Sequence, residues 1–165
     1  MRLTAALLSA ATLIQAQAPA PDPFAPLRFL VGAWQGEEGK GQPGQPSKGG
    51  FTLSKDLGGK VLVRRNFAEY PAQGGRAAFR HDDTMTIYAE GSALKALYVD
   101  NEGHVIHYGV TKEGDGAVFL SEGPGPRFRM TMAPKSADLL GIRFEIAPPG
   151  KDFSTYIEAT AKRTR

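Results

Sequence analysis

The sequence predicts an all-β chain folded as a single closed, antiparallel, up-and-down barrel of about ten strands. Three observations carry that prediction. Segments of strand length that alternate apolar and polar residues recur from Phe29 almost to the end. The links between them are short and glycine-bearing, as in Leu57-Gly58-Gly59, Glu90-Gly91-Ser92, Asp100-Asn101-Glu102-Gly103 and Glu113-Gly114-Asp115-Gly116, which suits turns between antiparallel neighbours. Helical periodicity is nearly missing after the first residues, so apolar strand faces must be covered by more sheet, and closure also removes exposed strand edges.

In chain order, Met1-Arg2, the apolar run Leu3 to Ile14 and the small residues Ala16-Gln17-Ala18 have the pattern of a secretory signal peptide, cut after Ala16 or Ala18. A retained helix is the other reading. On the first, residues 1–18 are the leader, 19–27 a flexible Pro- and Ala-rich lead-in, and 28–165 the barrel domain, periplasmic or secreted. No later apolar run approaches membrane-spanning length, so no stable membrane insertion is expected.

Residues 24–30 have room for one helical turn. The first strand then carries the only Trp, with Leu30, Gly32, Trp34 and Gly36 on one face and Phe29, Val31 and Ala33 on the other. Glycines on either side of the ring leave space for another strand or side chain to close over it. The polar loop 39–46 reads as a connector or a lid over a barrel mouth. Further strands are expected near 50–56, 60–70, 83–89, 94–99, 105–111, 117–121, 127–133, 139–147 and 154–162. Alternation is cleanest late, where Phe128, Met130 and Met132 share a face, as do Leu140, Ile142, Phe144 and Ile146.

Composition narrows the function. The chain has no Cys, which removes disulfides, a thiol nucleophile and Cys metal sites. Lys plus Arg number 20 against 17 Asp plus Glu, with no basic stripe, so nucleic acid is not an expected partner. Of the three His, His104 and His107 are three apart and fall on opposite strand faces. His81-Asp82-Asp83 is the densest polar cluster, suited to a divalent ion or to ordinary strand-opening hydrogen bonds; no metal and no cofactor is assigned. No nucleophile elbow and no acid–base pair stands out, so no catalytic residue is assigned and a non-enzyme is favoured.

Residues 61–70 place Val61, Val63, Arg65, Phe67 and Glu69 on one face and Leu62, Arg64, Asn66, Ala68 and Tyr70 on the other. Whichever face turns inward, the interior receives Arg64 or Arg65, and an interior guanidinium needs a carboxylate from the protein or from a ligand. Tyr88, Tyr98 and Tyr108 sit at matched places on successive strands, where phenols suit either a pocket wall or a packed core.

The segment Gly32-Ala33-Trp34 resembles the G-x-W motif of calycins, the group of lipocalins, fatty-acid-binding proteins and nitrobindin-like haem barrels. Residues 29–36, 98–106 and 144–150 together look like exported bacterial β-barrel domains of unknown function in that neighbourhood. The resemblance implies a calycin-like barrel and a structural role for Trp34, packed beneath Arg163 or Arg165. The nitrobindin-like members bind haem through a His on a late strand, and here the final strand, residues 153–162, contains none, which weighs against haem ligation in that manner.

The expectation is therefore an exported barrel that binds a small apolar or amphipathic molecule, a carboxylate being one option for its polar end, lined by Arg64, Arg65, Tyr88, Tyr98 and Tyr108. The alternative is a solid-core envelope interaction module acting through loop 39–46 on a protein partner. A hydrolase centred on His81 and Asp83 is the third reading.

Overall fold

The computed structural model describes residues 21–37 and 46–164. The leader at 1–18, most of loop 39–46 and Arg165 lie outside the described residues. A 3-10 helix, Ala25–Leu30, comes first, and ten strands follow: β1 Gly32–Gly36, β2 Lys48–Asp56, β3 Val61–Tyr70, β4 Phe79–Glu90, β5 Ala93–Asp100, β6 Val105–Glu113, β7 Gly116–Ser121, β8 Arg127–Ser136, β9 Leu139–Ala147 and β10 Ser154–Thr164. Each strand pairs antiparallel with its sequence neighbours, and β1 pairs with β10, closing the barrel.

The register shows which residues share the inner face. Across β3, β4, β5 and β6, Leu62 faces Ile87, Ile87 faces Ala96, and Ala96 faces Tyr108; closer to the other end, Asn66 faces Asp83 and Asp83 faces Asp100. On the far wall Met130 pairs with Phe144, and Phe144 with Ile157. The alternation of β8 and β9 points as the sequence predicts, with Met130, Met132 and Leu140 buried.

The two ends differ. Phe24, Leu27 and Leu30, each 1% exposed, pack into the core and cork the end where β1 starts and β10 finishes. Pro26 near the start of this short helix fits because its missing N–H falls among donors that lack intrahelical partners anyway. Asp22 accepts a hydrogen bond from the Phe24 amide at 3.0 Å and pairs with Lys55 at 2.9 Å, fixing the helix against β2.

At this corked end Trp34, 4% exposed, donates its indole N–H to the Leu30 carbonyl at 2.9 Å. The Arg163 guanidinium lies 4.2 Å over the indole and donates to the carbonyls of Val31 and Phe29 at 2.7 and 2.8 Å. Gly32 makes this possible: its φ is +129°, and a Cβ there would stand 2.7 Å from Arg163 Nη1. The first strand begins at Gly32 and not at Phe29, because Phe29 and Leu30 complete the helical turn.

The opposite end carries the links 70–79, 100–105, 121–127 and 147–154. No helix covers it among the described residues; inward residues there such as Asn66, His81, Phe128 and Phe144 are half buried, while Arg64 and Asp83 are buried.

Candidate functional site

The open end holds a polar wall. Inward positions on β3 to β5 are apolar near the cork, with Leu62, Ile87 and Ala96, and turn polar towards the mouth, with Arg64, Asn66, His81, Asp83, Tyr98 and Asp100. The same period-two rule that buries the first set forces the second inside.

At its centre Arg64 Nη1 donates to Asp83 Oδ1 at 2.8 Å; the two side chains are 10% and 4% exposed. Asn66 donates to Asp83 Oδ2 at 2.7 Å, and His81 Nε2 stands 3.4 Å from that same oxygen. Phe51 lies 5.2 Å from the guanidinium carbon. Among the described residues, Arg64 Nε is the buried side-chain polar atom that has no hydrogen-bond partner. A buried donor left unpaired costs about 1–3 kcal/mol.

His81 links this pair to the rim. Its Nδ1 is 2.6 Å from Glu102 Oε1 and its Nε2 is 3.1 Å from the Tyr98 hydroxyl. The hydrogen bond to Asp83 pushes the imidazole up to about 9, aided by Glu102 and opposed by burial, so the ring is cationic at neutral pH. Burial alone would raise the Asp83 carboxyl, but the Arg64 charge and the bonds from His81 and Asn66 hold it below its ordinary value.

Tyr98 donates onward to Asp100 Oδ2 at 3.0 Å. Burial, with Asp83 and Asp100 nearby, raises the phenol, which stays protonated. Asp100 also accepts from the amides of Glu102 and His104 at 3.0 and 2.9 Å and from His104 Nδ1 at 2.8 Å. Burial raises this carboxyl, and the bonds from His104, Tyr98 and Glu102 outweigh it, so Asp100 too is held below the usual range. On the outer face of the same strands, Arg65, Asp82, Thr84 and Val99 line a shallow cleft of about 400 Å³ that does not belong to the inward-facing network.

The wall facing this network is apolar. In the closed strand order β4 lies opposite β9. There Phe128 and Phe144 stack at 6.1 Å with planes 5° apart, half buried, and Ile106 completes the surface from β6. The mouth end thus has one hydrogen-bonding side and one aromatic side.

Of the ligand residues expected from sequence, Arg64 and Tyr98 lie in this network. Tyr108, 2% exposed, belongs to the core, its ring centroid 6.5 Å from those of both Tyr98 and Phe119 in edge-to-face contacts. Arg65 and Tyr88 fall on the outer face, since β3 and β4 turn Leu62, Arg64, Met85 and Ile87 inward. Trp34 and Arg163 form the stacked pair at the corked end. Among the described residues no group of three or more His, Asp or Glu is placed to hold a metal ion.

His81 and Asp83 come from the cluster the sequence marks as polar, while Asn66, Asp100, Glu102 and His104 were not foreseen as its partners. The signal was present in the strand pattern. Extending β4 back to Phe79 puts His81, Asp83 and Met85 on one face, and the turn after Asp100 then returns His104 beside it.

These features define a closed, ten-stranded, antiparallel up-and-down barrel with one corked end and one polar mouth, consistent with a calycin-like fold. No family model matches the chain, and no curated protein matches it.

Proposed function

We propose that the protein holds a small apolar or amphipathic molecule in the open half of its barrel and is not an enzyme. The observation that carries this reading is the unpartnered Arg64 Nε, buried on the inner face and across the barrel from half-buried aromatic rings. A donor without an acceptor, set beside apolar surface that water wets poorly, matches a ligand with one polar end. The apolar part would lie on Phe128, Phe144 and Ile106, and the polar end against Arg64. Tyr98 would shape the wall between them.

The proposal extends to compartment and kinship: an exported domain of the calycin neighbourhood, its leader at residues 1–18. That part rests on the Met1 to Ala18 pattern and on the barrel. Amino-terminal sequencing of protein recovered from periplasm and medium checks it, with a first residue after Ala16 or Ala18 expected and an intact Met1 against it.

Titration with Nile red, an uncharged apolar dye, tests the binding. Saturable one-to-one binding is expected, weakened in Phe128→Arg, where a charge enters the aromatic wall of a half-exposed site. Binding that never saturates, or that Phe128→Arg leaves unchanged, overturns the proposal. The competing reading, a solid barrel that meets a protein partner through loop 39–46, predicts no dye binding and a partner lost from pull-downs when that loop is shortened.

A further inference from the structure

We infer that, on the binding reading above, the polar end of the ligand is an uncharged hydrogen-bond acceptor, an amide, ester or hydroxyl oxygen, and not a carboxylate. Arg64 lies inside, but its charge is already offset by Asp83 at 2.8 Å, with both partners buried. The network around it holds two cations, Arg64 and His81, against three carboxylates, Asp83, Asp100 and Glu102. His104 adds no free donor nitrogen at Nδ1, which is engaged by Asp100 at 2.8 Å. Arg76 and Arg127 lie on the rim, over the rings of Phe79 and Phe153 at 5.3 and 4.9 Å. Both are exposed, where water and salt screen them.

An incoming carboxylate would therefore lose its hydration in a mouth of net negative fixed charge, with no unpaired interior cation to receive it. A neutral oxygen meets a different balance. It accepts the Nε–H that the protein leaves unsatisfied, adds no charge, and does not compete with Asp83 for the guanidinium. Phe51, 5.2 Å from the guanidinium carbon, flanks the group with an apolar ring.

Displacement of Nile red by decanamide and by decanoate, matched in chain length, near neutral pH and at fixed low salt, is the test. Decanamide should displace the dye at a concentration about tenfold or more below that of decanoate. In Asp83→Asn, with folding checked by circular dichroism, the Arg64 charge is released and the gap should narrow or reverse. If that variant does not fold, Glu102→Gln removes one carboxylate from an exposed position and should narrow the gap less. Equal or better displacement by decanoate in the wild type overturns the inference and leaves the binding proposal standing, as does an unchanged gap in both folded variants. Failure of Nile red itself to bind overturns the binding proposal and this inference with it.

Discussion

Trp34 is fixed by its neighbours at the level of single atoms: Arg163 at 4.2 Å over the ring, Phe51 stacked at 6.1 Å, and the Leu30 carbonyl on its N–H. Trp34→Ala should lower stability by about 3–5 kcal/mol, seen as an earlier midpoint in urea with circular dichroism as the signal. A wild-type midpoint would place the ring outside the cooperative core. The stack was legible beforehand through the G-x-W resemblance, and the flanking glycines announced a close approach. The approach over Gly32 is by the Arg163 side chain, anchored to the Val31 and Phe29 carbonyls, and not by a strand. The Arg64 pairing was half legible. Alternation put an Arg inside, but its partner could not be named without the register that sets Asn66 opposite Asp83.

The elements follow the alternation closely, and all ten strands lie within a few residues of their expected places. The largest difference is β4, which starts at Phe79 and not near residue 83. Its polar opening, Arg80-His81-Asp82-Asp83, looks like loop, yet on a strand those residues divide between rim and interior and satisfy one another: Arg80 pairs outside with Asp82 and Glu69, His81 inside with Asp83. Local composition lost to cross-strand pairing there. The 3-10 turn matters out of proportion to its length, because it supplies the cork. Leu27→Ala should cost about 2–5 kcal/mol and speed amide hydrogen exchange in the corked ends of β7 and β8 more than in the mouth. Uniform protection along every strand would argue that the turn merely rests on the barrel.

For the molecule as a whole, the mouth network makes stability depend on pH from both sides. The His81 imidazole rises from its ordinary 6.5 to about 9 on folding, so its contribution is complete below about 6.5 and is lost as pH climbs through about 9. Asp83 is shifted the other way, below 3.8, so its contribution is present above that value and is lost as pH falls through its folded value. Both shifts report one shared interaction, and stability should be greatest between about 4 and 6.5. Thermal melts across pH check this: the alkaline decline should flatten in His81→Gln, and an unchanged slope would assign it to other groups.

Ala33 pairs with Thr164 where the first and last strands meet, and both strands reach the corked face there. The described residues therefore enter and leave the barrel on the same face, at the cork. In a chain cut back to residues 21–164, a pair of reporters joined one to each end would sit side by side on the face away from the mouth.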